Sequence, residues 1–194
     1  LDLIRFAAQR SGEISEMAQR SGAANTLMCD GLGGLKVDNT DATGIVLPLL
    51  ACGLKAESST VAILGSGGVA RAAAAALLHA GARVRVFNRT AARLDALVEG
   101  LHSLGDISAG SIGEGPFDAV VQCTSVGMAH GAHPEESPLA SLDLQASELV
   151  GPGTVGLETI YDPVETRFVE AIRSQGAAVA TGYDMWLAQG KAQQ

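Results

Sequence analysis

Thr60-Val61-Ala62-Ile63-Leu64-Gly65-Ser66-Gly67-Gly68-Val69-Ala70 is the stretch whose reading decides the fold. Its first five residues form an almost unbroken apolar run, the pattern of a strand covered on both faces. An alanine-rich segment over residues 70–80 follows and stops at Gly81, a residue type that tolerates the left-handed conformation of a helix end. Between strand and helix the spacing is G-x-G-x-x-A. The first glycine permits a tight turn, the second lets backbone approach a ligand, and the small Ala70 lets helix and strand pack closely. The free N–H groups and positive end of such a helix suit a pyrophosphate. Gly65, Ser66, Gly67, Gly68, Val69 and Ala70 therefore read as a dinucleotide site; the alternative is a glycine-rich turn that binds nothing.

Working outward, residues 83–87 read as a second strand, 91–101 as a second helix, and 117–123, 154–160 and 177–180 as further strands. Strands alternating with crossover helices predict a doubly wound parallel sheet of the Rossmann type, in the α/β class. Upstream, residues 43–52 have a helical pattern closing at Gly53, and residues 1–20 suggest two short helices or one interrupted at Ser11-Gly12. Thr26-Leu27-Met28 and Gly34-Leu35-Lys36-Val37 suggest a hairpin about a turn at Asp30-Gly31.

The end of the second strand bears on the cofactor. An Asp or Glu there would hold a free ribose 2′-hydroxyl and repel a 2′-phosphate. Here the residues are Asn88-Arg89-Thr90 with Arg93 following, and a guanidinium grips phosphate through paired charge-assisted hydrogen bonds, so the expected cofactor is NADP. Thr90 is also placed to cap the next helix. The competing reading leaves both arginines merely solvated.

Composition narrows the rest. A chain of 194 residues that is 47% hydrophobic and 18% charged can bury one substantial core. A net charge of -8 argues against a nucleic-acid partner. Cys29, Cys52 and Cys123 are odd in number and widely spaced, which predicts no zinc site and a reducing, cytoplasmic setting. No apolar run approaches the ~20 residues of a membrane span. His130 and His133 sit with Glu135 and Glu136 in a polar loop and read as solvated, so no metal is expected. The start at Leu1 reads as a domain boundary, so the chain is expected to be a piece of something longer.

Seven separated motifs, in order, resemble those of the shikimate dehydrogenase family: Ala23-Ala24-Asn25-Thr26, Asn39-Thr40-Asp41-Ala42, Gly65 to Ala70, Asn88-Arg89-Thr90, Thr124-Ser125-Val126-Gly127-Met128, Tyr161-Asp162-Pro163 with Thr166, and Gly182, Met185 and Gln189. The resemblance implies NADP-dependent, reversible reduction of 3-dehydroshikimate to shikimate, on the route to aromatic amino acids. It implies a remnant of a second, substrate-binding α/β lobe over residues 1–41, an NADP-binding domain over 42–181, and a helix returning to the first lobe over 182–194. Asn25, Asp41, Tyr161 and Gln189 would contact substrate. Besides the Gly65 loop, Asn88, Arg89, Thr90, Arg93, Thr124, Ser125, Thr159 and Gly182 would line the cofactor. Asp41 would also be half of the family's Asp–Lys acid–base pair, since reduction of a ketone needs a proton donor beside the oxygen. Each residue has a plainer use: Asp41 as a helix cap, Asn25 as a turn former, Tyr161 as a half-buried core residue, Gln189 on a solvated helix face.

The sequence departs from the family in one chemical respect. The family's lysine segment, and the serine pair that holds substrate carboxylate, have no counterpart; Lys36, Lys55 and Lys191 occupy no matching position. Smaller departures are Ala24 for Val, Ala42 for Gly, Gln122 for Asn and Glu158 for Asp. A truncated enzyme, or a domain of a dehydroquinate dehydratase–shikimate dehydrogenase fusion, is expected, and the chain alone should bind NADP but turn over poorly. A homodimer is left open. The rival readings are a quinate/shikimate paralogue and a non-catalytic module that senses NADP or a metabolite.

Overall fold

The computed structural model describes residues 2–10, 12–29 and 33–193. The chain opens with α1 (Asp2–Ala8), β1 (Glu13–Ile14), α2 (Glu16–Ser21), β2 (Thr26–Cys29) and β3 (Leu35–Asp38). The interrupted amphipathic pattern thus resolves into two short helices, with a short strand between them that the sequence reading lacks. Ser15 begins α2, its hydroxyl accepting from the Ala18 N–H at 3.2 Å, and Gly22 ends it at φ 62°. β2 and β3 pair antiparallel, with Leu27 opposite Val37, as a hairpin requires, and β1 adds in parallel to β3. The Asp30-Gly31 turn and Ser11 lie outside the described residues.

Next come α3 (Asp41–Ala51), β4 (Thr60–Leu64), α4 (Gly68–His79), β5 (Arg83–Phe87), α5 (Ala91–Leu101), β6 (Ile107–Ala109) and β7 (Phe117–Gln122). The chain ends with α6 (Ala146–Leu149), β8 (Val150–Glu158), α7 (Arg167–Ser174), β9 (Ala178–Ala180) and α8 (Gly182–Ala192). The six strands β6-β5-β4-β7-β8-β9 form one parallel sheet in that order. Sequential numbering of these strands gives 3-2-1-4-5-6, the order of a doubly wound dinucleotide fold.

Both faces of the sheet are dry. Val61 and Ile63 join Val84, Val86, Leu77 and Leu97 in a core under α3, α4 and α5, whereas Ala62 and Leu64 join Val120, Phe168 and Ile172 in a core under α7. Period-two alternation feeding two cores is why the central strand reads as continuous apolar sequence. Residues 72–75 of α4 are all buried alanines, and these small side chains let α4 lie between the sheet and its neighbours α2 and α3.

Besides the short β1, β6 and α6, which had no counterpart in the sequence reading, three longer elements depart from the sequence expectation. α3 begins at Asp41 rather than Thr43, because buried Asn39 accepts the Asp41 N–H at 3.1 Å and turns the chain into the helix two residues early. β8 begins at Val150 rather than Thr154. α7 had no counterpart in the sequence reading, although Thr166 caps it and Phe168, Val169 and Ile172 are buried at helical spacing.

Candidate active site

The chain reverses direction in the sheet between β4 and β7, and a crevice opens beyond the carboxyl ends of these strands, where doubly wound sheets bind their ligands. The crevice measures about 560 Å³, within the range of small-molecule sites. One side is built from Gly65, Ser66 and Gly67 after β4, Asn88, Arg89, Thr90 and Arg93 after β5, and Thr124 and Ser125 after β7. Nine of the residues expected to line a cofactor are thereby brought together.

The local reasons are legible. Gly65 stands at φ 111°, donates its N–H to the Phe87 carbonyl at 2.8 Å, and would bring an added Cβ to 3.0 Å from the Cys123 carbonyl oxygen. Only glycine fits a left-handed turn pressed against neighbouring backbone. At Gly67 and Gly68 an added Cβ would meet nothing within 4 Å, so backbone there faces open space. Gly67 occupies the cap position of α4 without a side-chain cap, and the first turn carries no acid, so its N–H groups stay available to an anion. Ala70 is fully buried against the core, the close packing expected of the third motif position.

Arg89 and Arg93 are exposed and make no ion pair among the described residues, so two free cations flank the crevice of an acidic chain. Thr90 sits at the cap position of α5 without making the side-chain cap expected of it; instead its carbonyl accepts from the Asn88 amide at 2.9 Å. The crevice is also lined by His133, Glu136, Pro138, Ser141 and Leu142, which sequence reasoning did not assign to the site. The signal was weak, because only the return of a long loop brings them there. His133 pairs with Glu136 at 2.8 Å, and no group of three or more His, Cys, Asp or Glu able to hold a metal occurs among the described residues.

A second cavity of about 160 Å³ lies beside the first turn of α4, lined by Val69, Asp41, Thr159, Tyr161, Gly182, Met185, Trp186 and Gln189. Three of the four expected substrate residues meet here. The fourth, Asn25, reaches it through Asp41: its amide donates to Asp41 Oδ1 at 2.7 Å while its oxygen accepts the Thr40 N–H at 3.0 Å. Asp41 lies in the first helical turn rather than at the cap, so the capping alternative fails, although its charge still favours the helix start. Burial raises the Asp41 pKa above the ordinary carboxylate value, and the Asn25 hydrogen bond offsets part of that rise. Gln189 does not lie on a solvated face: its Oε1 is buried without a partner among the described residues. Such an orphaned acceptor suits a ligand hydroxyl. Gly44 permits this arrangement, since an added Cβ would press to 3.1 Å on Gln189 Cβ and the Met185 carbonyl, and the α3–α8 approach depends on its absence. Tyr161 is 62% exposed and so no core residue.

Beneath the crevice and cavity lie two wholly buried polar side chains on adjacent strands, Gln122 and Glu158, paired in register. Gln122 turns the chain after β7, accepting the Thr124 N–H at 2.6 Å and donating to the Thr124 and Val126 carbonyls at 3.2 Å. Burial pushes the Glu158 carboxyl up to about 7, against hydrogen bonds from Thr166, Ile160 and Thr159 that lower it. A carboxyl raised by folding favours the native state while it is protonated, and that contribution is lost as pH rises through about 7. Urea unfolding should therefore show the stability of the wild type relative to Glu158→Gln falling as pH rises from the ordinary value of 4.5 to about 7 and levelling off above it. A difference that grew with pH would mean that the donors outweigh burial.

No protein-family model matches the chain. It is 34% identical over 92% of its length to the shikimate dehydrogenase (NADP(+)) of Carboxydothermus hydrogenoformans, covering 63% of that protein. It is 38% identical over 84% of its length to the enzyme of the same name from Alkalilimnicola ehrlichii, covering 58% of it. The chain thus spans about three-fifths of the length of these curated relatives. Among solved structures, shikimate 5-dehydrogenase from Thermus thermophilus, in complex with NADP(H) and shikimate, superposes with a TM-score of 0.78 at 32% identity over 96% of this chain and 67% of that one. On the shared sequence, the shared fold and the coverage of that solved enzyme, the chain belongs to the shikimate dehydrogenase family.

Proposed function

We propose that this chain forms the NADP-binding domain and part of the substrate wall of an enzyme that reversibly reduces 3-dehydroshikimate to shikimate. The adjacency of the two spaces carries the reading: Gly65 to Gly67 line the large crevice, and Val69, two residues on, lines the cavity of Asp41, Tyr161 and Gln189. A cofactor in the crevice and a small polyhydroxy acid in the cavity would therefore meet across the first turn of α4.

The residues fit the cofactor. The open backbone at Gly67 and Gly68 and the uncapped start of α4 would take the pyrophosphate, and Arg89, with Arg93, the 2′-phosphate. NADPH, when bound, supplies the hydride. The chain's own groups bind and orient: Gln189 Oε1 would accept a ring hydroxyl, and Asp41, held by Asn25, would accept another or hold a proton donor. None of Lys36, Lys55 and Lys191 lines the Asp41 cavity. The proton donor for the carbonyl oxygen is assigned to the part of the relatives' length that this chain does not span. The division into residues 1–41, 42–181 and 182–194 follows the same reading, supported by Gln193 of the last segment, which donates to the hydroxyls of Thr26 and Thr40 at 3.2 Å.

Calorimetric titration tests the reading. NADP+ should bind the 194-residue chain at least about tenfold more tightly than NAD+, a difference of about 1.4 kcal/mol. Shikimate-dependent NADP+ reduction by the chain alone should be slow or nil. Failure of both nucleotides to bind sinks the cofactor assignment, and robust turnover removes the need for an outside proton donor.

A further inference from the structure

The buried Glu158 has no place in the binding roles above. It is fully excluded from solvent and forms no ion pair among the described residues. It is paired with Gln122 at the end of β7 and hydrogen-bonded by Thr166 at the cap of α7; its charge and that of Asp41, at the start of α3, both raise the pKa of the buried Cys123 thiol just after β7. A carboxyl kept in a dry interior without a cation is costly unless its lone pairs are used. Those of Glu158 are used: Oε1 accepts the Ile160 N–H at 2.9 Å, and Oε2 accepts the Thr166 hydroxyl at 2.6 Å.

These two donors tie together three segments around the site. Ile160 lies between Thr159 and Tyr161, both of which line the Asp41 cavity. Thr166 caps α7, accepting the Val169 N–H at 3.3 Å. Thr166 also backs Gly127 in the loop after β7, where an added Cβ would come to 3.6 Å from its Cβ. An apolar side chain of equal size would fill the space but leave the Ile160 N–H and the Thr166 hydroxyl without an acceptor.

We propose that Glu158 is a positioning residue for the site: the donors it gathers at the end of β8 hold Thr159 and Tyr161 at the mouth of the Asp41 cavity. Its relevance to catalysis rests on the reading of that cavity as the substrate site. Hydrogen exchange by mass spectrometry at pH 8 on wild type, Glu158→Ala, Thr166→Val and Thr166→Ser tests it, with NADP+ titrated in parallel. Amides of residues 159–166 should exchange roughly tenfold faster in Glu158→Ala and Thr166→Val, residues 60–79 should be unchanged, and Thr166→Ser, which keeps the hydroxyl, should match wild type. If Glu158→Ala does not fold, the two Thr166 variants carry the test. Wild-type exchange in Thr166→Val, or acceleration spread equally through residues 60–79, overturns the proposal. If the local pattern appears but wild type binds no NADP+, the positioning role stands and the functional reading falls.

Discussion

Gly182→Ala should distort the small cavity and lower the stability of the whole chain. Gly182 is the first residue of α8, and an added Cβ would lie 2.0 Å from the Ile160 carbonyl oxygen, 2.2 Å from its carbon and 2.6 Å from the Tyr161 nitrogen. All three are backbone atoms, so no rotamer change can relieve the contact; the end of β8 and the start of α8 must separate. The helix start is also pinned, because Asp184 accepts both the N–H and the hydroxyl of Thr181 at 2.8 Å. Overpacking of a well-ordered contact costs roughly 1–3 kcal/mol, and a clash with backbone belongs at or above the top of that range. For a chain of this size about 3 kcal/mol is a fall in Tm of roughly 6–12 °C. On the proposal that this cavity takes shikimate, binding of shikimate should go with it, since Tyr161, Gly182 and Gln189 share the cavity wall. Gly190→Ala on the same helix is the control: its Cβ would meet nothing within 4 Å, and replacing a mid-helix glycine should be neutral or stabilise by up to about 1 kcal/mol. A Gly182→Ala protein melting within a degree or two of wild type would show that α8 has freedom this packing denies it.

That clash also marks how far the sequence alone reaches. The β4–α4–β5–α5 run was legible almost to the residue, because a doubly buried strand, an alanine-rich helix and punctuating glycines are local signals that tertiary structure reinforces. β1 and β6, of two and three residues, are too short to show a period; their pairing with β3 and β5 creates them. Motif positions brought Asp41, Tyr161 and Gln189 to one cavity, but nothing in their spacing tells that Asn25 reaches it by way of Asp41 or that Gln189 Oε1 is left without a partner among the described residues. Glu158 stood out in the sequence only as a departure from a familiar pattern. Its role depends on total burial between two strand ends, which no local window contains.

Arg89→Ala should convert a site selective for NADP into one nearly indifferent between the two nucleotides. Arg89 is exposed, stands at the end of β5 and has no ion-pair partner among the described residues, so its removal leaves no orphaned charge and little effect on folding is expected. Charge-assisted hydrogen bonds to the 2′-phosphate should contribute about 1.5–3 kcal/mol, so NADP+ affinity should fall roughly 10- to 150-fold. NAD+ lacks that phosphate, and its affinity should change by less than about twofold. Arg93→Ala should act in the same direction, because Arg93 lines the same crevice from the first turn of α5. Salt separates charge from shape: at about 1 M ionic strength the screening length shrinks to roughly 3 Å, so the wild-type advantage over Arg89→Ala should narrow as salt is raised. Equal loss of both nucleotides, at any salt, would mean that Arg89 shapes the crevice rather than reading the phosphate, and the cofactor preference would then have to come from the wall carrying His133 and Glu136.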